Sequence, residues 1–153
     1  MSIEQAIKQK KFSSAYHKLG VNLIYTSNWW VHKQLEALRD YDISLQQYNV
    51  LRILRGASPN PMRVNDISER MLDKTSNTSR LVDKLLAKNY LTRQTCGDDR
   101  RAVNVIISDE GLKLLAELDP VLKQLEECFH MISPEKAEEI SNLLDSFRMS
   151  YSQ

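Results

Sequence analysis

Residues 76–88, which read SNTSRLVDKLLAK, place polar and basic side chains at a helical spacing. At 100° per residue, the leucines and the valine fall on one side of a helix, and Ser76, Arg80 and Asp83 fall on the other. Small hydroxyls and an amide near a helix N-terminus allow close approach to base edges and phosphates, and an arginine binds guanine or phosphate. A merely solvated helix face is the alternative reading of this pattern.

A strongly charged stretch follows at residues 96–111, which read CGDDRRAVNVIISDEG. Its β-branched run favours a strand, and Gly97 and the aspartates supply the chemistry of a turn before that strand. Arg100 and Arg101 therefore lie at the tip of a predicted hairpin, beside two carboxylates that can orient them. Charged tips also keep proteins soluble or protect a sheet edge, and this second interpretation stays open.

The elements that must position these two stretches are mostly helical. The pattern predicts a long first helix from about Phe12 to Leu38 and a second one that begins at a capping box of Ser44 and Gln47 and ends near Gly56. SPNP at 58–61 then breaks the chain. Two short helices follow, over Val64–Met71 and Ser76–Lys88.

A hairpin and two further helices complete the prediction. YLTRQT and AVNVIIS form the two strands, and Ser108 or Asp109 caps a helix that continues to about Met131, with Pro120 as the expected place of a bend. Ser133 caps the last helix, which opens with proline at its first position. Two helices followed by a two-stranded hairpin is the order of a winged helix-turn-helix, in which the second helix enters the major groove.

The residues of this region carry a family resemblance. The run from Asp99 to Gly111, DRRAVNVIISDEG, resembles the wing signature of the multiple-antibiotic-resistance regulator (MarR) family: Asp-x-Arg, three variable residues, an aliphatic pair two apart, Ser/Thr, two variable residues and Gly. SRLVDKLLAKNYLTR resembles the family's recognition helix and first wing strand. Asn89 stands where the family usually has glycine, a tolerable departure because asparagine also accepts left-handed backbone angles. The specific motifs lie within residues 63–111, whereas helix order and length agree over essentially the whole chain.

The resemblance implies a mainly α fold with a small β-hairpin wing and a single domain over residues 1–153. Residues 43–108 would form the DNA-binding part, and residues 1–40 and 112–153 the helices that build a homodimer. The family binds palindromic operators, most often as repressors released by a small ligand or by oxidation. On this basis, the candidate DNA-contacting residues are Ser76, Asn77, Ser79, Arg80, Lys84, Arg100 and Arg101.

Aromatic residues crowd the first helix, and Tyr48 and Arg52 lie on the second. In the family, the cleft between these helices and the winged domain holds aromatic or phenolic anions, so a small aromatic or anionic effector is expected here. Aromatic residues at helical spacing are also typical of a core or a dimer interface, which is the alternative. The candidate ligand-binding residues are Tyr16, His17, Tyr25, Trp29, Tyr48 and Arg52.

Other chemistries have little support in the sequence. Cys96 and Cys128 form no zinc-binding pattern, the three histidines are scattered, and no cysteine stands near the start of the first helix, where some relatives sense peroxides. Neither a glycine-rich phosphate loop nor a nucleophile beside a base is visible, so we expect no enzyme, metal site or cofactor. A winged helix that binds proteins, or DNA architecturally without an effector, remains the competing function.

Composition agrees with a regulator that meets a polyanion. The chain of 153 residues has a net charge of only +1, but Ile43 to Ser108 holds 11 Lys/Arg against 6 Asp/Glu, and the remainder is acidic. A basic middle favours contact with nucleic acid, while the acidic flanks serve another role. No apolar run approaches the length of a membrane span, and we expect a cytoplasmic protein.

Overall fold

A computed structural model of the chain describes residues 1–94 and 104–150. Its helices and strands follow one another in an order that agrees with the predicted one. They are α1 (Ile3–Ala6), α2 (Ala15–Leu38), α3 (Leu45–Ala57), β1 (Met62–Arg63), α4 (Val64–Arg70), α5 (Thr78–Ala87), β2 (Leu91–Gln94), β3 (Asn104–Ile107), α6 (Asp109–Glu126) and α7 (Pro134–Ser150). Short 3-10 helices at Arg39–Tyr41 and Glu127–Phe129 follow α2 and α6. The mainly α fold class with a hairpin wing is confirmed.

Side-chain caps set the starts of the helices. Ser44 and Gln47 form the predicted capping box: the Ser44 amide donates to Gln47 Oε1 at 2.9 Å, and the Gln47 amide donates to Ser44 Oγ at 3.1 Å. Ser133 Oγ accepts from the Lys136 amide at the start of α7. The long first helix begins later than predicted, because Ser14 accepts from the His17 amide and so caps the helix at Ala15.

The start of the chain and the end of α6 also differ from the prediction. The sequence did not predict α1, whose Ile3 is buried and whose Glu4 binds Lys18 of α2 at 2.5 Å. This exposed pair lowers the pKa of Glu4 to about 2. Helix α6 runs through Pro120 and ends at Glu126 rather than at Met131. After Glu126 the chain tightens into a 3-10 turn.

The core lies between α3, α4, α5, α6 and the sheet. Burial of these apolar side chains supplies the main favourable term in folding. The fully buried side chains of greatest volume are Leu51 and Leu54 of α3, Ile67 of α4, Met71, Leu85 of α5, and Leu115 and Leu118 of α6. None of the helices within the described residues is long and apolar enough to cross a bilayer.

Within the described residues, the sheet has three antiparallel strands in the order β1-β3-β2. The hairpin pairs Leu91 with Ile107 and Gln94 with Asn104, as the sequence predicted for the strands on either side of the tip. Strand β1 was not predicted. It has only two residues, too few to show an alternating pattern, and it forms because Met62 pairs with Val105 in β3.

Helix α5, the hairpin and α6 meet at four residues that we call the wing joint: Asn89, Tyr90, Ser108 and Gly111. Asn89 has a φ of 61°, as predicted for a left-handed residue, and the Tyr90 amide donates back to the Leu85 carbonyl at 3.0 Å. The Ser108 amide donates to the Tyr90 carbonyl at 3.1 Å, and the Ser108 hydroxyl donates to the Asn89 carbonyl at 2.7 Å. Ser108 Oγ accepts in turn from the Gly111 amide at 3.0 Å.

Gly111 is required in this joint by close packing. A Cβ at this position would lie 2.4 Å from the Tyr90 carbonyl oxygen and 2.8 Å from Ile107 Cγ1. The first neighbour is backbone, which cannot rotate away as the end of a flexible side chain can. A larger residue would therefore push α6 away from the base of the hairpin.

We expect Gly111→Ala to lower the free energy of unfolding by roughly 1–3 kcal/mol, because the joint must open to admit the methyl group. Urea denaturation followed by circular dichroism measures this change. The control is Gly56→Ala in α3, where an added Cβ meets nothing within 4 Å and stability should stay the same or rise by up to about 1 kcal/mol. Equal midpoints for Gly111→Ala and the wild type would refute the packing argument.

Candidate nucleic-acid interface and adjoining cleft

Asn77 determines where the recognition helix begins. Its Oδ1 accepts from the Arg80 amide at 3.1 Å, which makes Asn77 the N-cap and Thr78 the first residue of α5. The sequence had placed Ser76 and Asn77 within the helix, and that assignment was wrong by two residues. This cap uses Asn77 Oδ1, which leaves the side-chain nitrogen of Asn77 to donate to other partners.

The exposed face of α5 has the predicted composition. Ser79, Arg80, Asp83 and Lys84 are exposed. The opposite face packs into the core with Val82 and Leu85, together with Thr78 from the first turn. The Ser76 hydroxyl oxygen is buried, unlike the other candidate contacts on or before α5. The structure therefore brings four of the predicted residues to one surface (Asn77, Ser79, Arg80 and Lys84) and encloses the hydroxyl of the fifth.

An ion pair connects this face to the hairpin. Arg93 Nη2 of β2 lies 3.0 Å from Asp83 Oδ1 of α5, with both side chains more than half exposed. The pair neutralises the one carboxylate on a face that otherwise carries cations, which favours the approach of a phosphate backbone. Sequence reasoning missed Arg93, because its proximity to Asp83 depends on how β2 folds back along α5.

The predicted hairpin tip falls within residues 95–103, which lie outside the described residues. The predictions for Arg100, Arg101 and Cys96 fall there and stay predictions. Cys128 is exposed beside the 3-10 turn after α6. Among the described residues, no group of three or more His, Cys, Asp or Glu side chains could hold a metal ion.

A cleft of about 720 Å³ lies between α2, α3, α6 and the segment that follows α4. We call it the effector cleft, after the ligand that the sequence predicts between these helices. It is bordered by aromatic, apolar and polar side chains, among them Trp30, Tyr48, Asn49, Arg52, Leu72 and Leu122. Its size and mixture of apolar walls with few polar groups are typical of small-molecule sites.

Arg52 supplies the positive charge of the effector cleft. Its Nη1 donates to Tyr48 Oη at 2.9 Å, and the guanidinium lies 5.8 Å from the centre of the Tyr48 ring. The hydrogen bond to Tyr48 raises the pKa of Arg52, and the nearby carboxylates of Asp119 and Glu126 act in the same direction. This cation is held in place by Tyr48 and is suited to pair with an anionic ligand.

The other predicted ligand residues do not line this cleft. Tyr16 is 86% exposed near the start of α2, and His17 Nδ1 lies 3.0 Å from Ser13 Oγ. Tyr25 and Trp29 are exposed on α2, whereas Trp30 lines the cleft, with its ring 4.8 Å from that of Phe129. Consecutive residues on a helix are 100° apart, so only the packing of α2 decides which tryptophan faces the cleft.

One wall of the effector cleft belongs to the segment that leads into the recognition helix. The Leu72 amide donates to Asn49 Oδ1 of α3 at 2.9 Å. Asp73 Oδ1 accepts from the Thr75 amide at 3.0 Å and from its hydroxyl at 2.6 Å, and these bonds lower the pKa of Asp73. A molecule in the cleft would therefore touch Leu72 and Asp73, which lie in the segment that leads into α5.

The order of α3, β1, α4, α5, β2 and β3 defines a winged helix-turn-helix domain. Residues 41–102 match the model of the MarR family. Over these residues the chain is similar to the MarR family, which confirms the resemblance carried by residues 63–111.

Individual relatives agree with this assignment. Over 100 residues, the chain is 29% identical to YfiV of Bacillus subtilis (strain 168), an uncharacterised HTH-type transcriptional regulator, and the match spans 65% of this chain and 61% of that protein. A MarR transcription factor from Planctomyces limnophilus is 28% identical, with a TM-score of 0.67 over 91% of this chain and 99% of that one. MepR of S. aureus in its complex with DNA has the same fold at 21% identity, with a TM-score of 0.77 over 92% of this chain and 99% of that one.

Proposed function

We propose that the protein is a cytoplasmic, sequence-specific DNA-binding transcriptional regulator. The observation that carries this proposal is the exposed face of α5, where Asn77, Ser79, Arg80 and Lys84 lie together beside the base of the hairpin. Its acidic member, Asp83, is neutralised by Arg93. The S. aureus regulator of the same fold was solved as a DNA complex, which supports the same use of this face.

We further propose that the protein acts as a homodimer built by α1, α2, the end of α6 and α7. These helices expose large apolar side chains that a single chain leaves uncovered, and exposed apolar patches of this kind mark interaction surfaces. The exposed apolar residues are Leu19, Leu23, Ile24 and Val31 on α2 and Ile140, Leu143, Phe147 and Met149 on α7. A two-fold dimer presents two α5 helices, which suits a palindromic operator.

We propose that the protein represses transcription and that a small aromatic or anionic effector relieves this repression. The effector cleft offers Arg52 as a cation beside the Tyr48 ring, and its wall at Leu72 and Asp73 leads into α5. An occupant that displaces this wall changes the position of α5 relative to its partner helix in the dimer. A ligand changes the affinity for DNA because it binds the two positions of α5 with different affinities.

For DNA recognition, we expect Arg100→Ala/Arg101→Ala to weaken binding to all sequences and to lower the salt slope by up to about two per protomer. The physical reason is loss of arginine from a wing that follows the minor groove, whose negative potential attracts it. Arg80→Ala should instead change the preference among operator variants by roughly 1–3 kcal/mol. Fluorescence anisotropy on an operator found by genomic footprinting measures both effects.

Lys113→Ala near the start of α6 removes one exposed positive charge outside the proposed dimer interface and is the control, with unchanged sequence preference expected. If the double wing variant keeps the wild-type affinity and salt slope, the charged tip is only a solubility feature. If the wild-type protein binds no genomic fragment, the proposal that it is a DNA-binding regulator is wrong.

For the dimer, we expect light scattering to give twice the mass of 17.7 kDa at micromolar concentration. Leu143→Glu on α7 should reduce the fraction of dimer, because it places a charge in the proposed apolar interface. Glu138→Gln, an exposed change on the same helix, should leave the mass unchanged. A wild-type monomer that still binds DNA tightly would contradict this arrangement.

For the effector, we expect an aromatic carboxylate in a broad panel to raise the melting temperature and to weaken operator binding. Arg52→Ala should reduce its affinity roughly tenfold, since it removes a charged hydrogen bond, while Arg52→Lys keeps part of it. If no compound stabilises the protein or alters DNA binding, the alternative is favoured: a winged-helix module that binds DNA architecturally or binds proteins, without an effector.

A further inference from the structure

A second concavity, which we call the cap groove, lies between the end of α2, the start of α3 and the exposed face of α5. Its volume is about 680 Å³, and it is separate from the effector cleft. Leu38 and Ile43 form an apolar floor, and Arg39, Gln47, Lys84 and Lys88 supply polar groups around it. Among the predicted interface residues that the structure describes, Lys84 alone lines this groove.

The charges around the cap groove are mainly positive and only partly neutralised. Lys88 Nζ binds the Asp42 carbonyl and lies 2.9 Å from Asp42 Oδ2, so these two charges offset each other. Arg39 and Lys84 form no salt bridge within the described residues, and the nearby Glu36 is bound to Lys33 at 2.8 Å. Two cations therefore remain to attract an anion from opposite sides of the groove.

The first turn of α3 adds one hydrogen-bond donor. The capping box uses the Gln47 backbone amide and Gln47 Oε1, which leaves the Gln47 side-chain Nε2 at the groove. The Gln47 side chain is only 6% exposed, and its Nε2 donates to no atom of the described residues. The side-chain amide of the largely buried Gln47 and two cations make up a site for an oxyanion.

The position of the cap groove favours DNA as the source of that oxyanion. Lys84 and Ala87 line the groove and also belong to the exposed face of α5. A duplex that admits α5 to its major groove brings a sugar-phosphate backbone past both ends of the helix. The groove is a surface concavity that exposed residues of α5 border, which suits a polymer that lies across it rather than a ligand enclosed within it.

We propose that the cap groove binds a backbone phosphate of the operator, held between Arg39 and Lys84 and oriented by the Gln47 amide. This inference rests on the proposed DNA-binding function. It adds Arg39 and Gln47 to the DNA contacts, and Arg39 lies in residues 1–40, which the sequence assigns to the dimer helices. The end of α2 thus contacts the same duplex as α5, and its contact is independent of the base sequence.

The test is phosphate ethylation interference combined with salt-dependent anisotropy on the operator. Wild-type protein should show interference at a phosphate in each half-site that disappears with Arg39→Ala, while the remaining positions stay the same. The same variant should weaken binding about fivefold near 0.1 M salt and lower the salt slope by about one per protomer. Arg39→Lys should restore the slope, and Lys113→Ala near the start of α6 should leave both measurements at the wild-type values.

The outcomes separate this inference from the function on which it rests. If Arg80→Ala alters operator preference but Arg39→Ala leaves the slope and interference pattern unchanged, the phosphate site is wrong and the regulator stands. A wild type that binds no DNA overturns both. Because Arg39 is exposed and forms no salt bridge in the described residues, unfolding midpoints of its variants should match the wild type.

Discussion

The structure of the winged domain depends on the close approach of α6 to the base of the hairpin at the wing joint. Tyr90 provides the carbonyl that accepts from Ser108, and Gly111 packs against that same carbonyl because it has no Cβ. The left-handed Asn89 turns the chain from α5 into β2 so that this carbonyl faces Ser108. Recognition helix, hairpin and α6 therefore share one set of backbone hydrogen bonds, and a shift of α6 is transmitted to α5.

Electrostatic pairs around this frame contribute more to geometry than to stability. Arg93 with Asp83 and Lys88 with Asp42 have at least one largely exposed partner, so each is worth at most about 1 kcal/mol. Their arrangement nevertheless neutralises carboxylates on the side of the molecule that carries Arg80 and Lys84. The resulting surface has free cations where a polyanion would lie, although the whole chain has a net charge of only +1.

The two concavities border different residues of α3, and residues of α2 line both. The effector cleft contacts the segment before α5 through Leu72, and the cap groove borders the outer face of α5 at Lys84. Movement of α2 relative to α3 would change both at once. Under the proposed function, this arrangement would connect a small ligand to DNA affinity, and the Asn49 contact with the Leu72 amide would be the contact nearest to that ligand.

The sequence by itself determined the order of the helices, the capping box of Ser44 and Gln47, the left-handed Asn89 and the apolar and polar faces of α5. These features depend on the local spacing of residues and on the backbone preferences of single residues, so the sequence alone indicates them. Only the tertiary structure decided that Trp30 rather than Trp29 lines the effector cleft, that Arg93 neutralises Asp83, and that Arg39 faces Lys84 across a groove. Each of these contacts joins elements far apart in the chain, and small rotations of packed helices determine them. For the same reason, β1 could not be predicted, because a strand of two residues exists only where β3 offers it a partner.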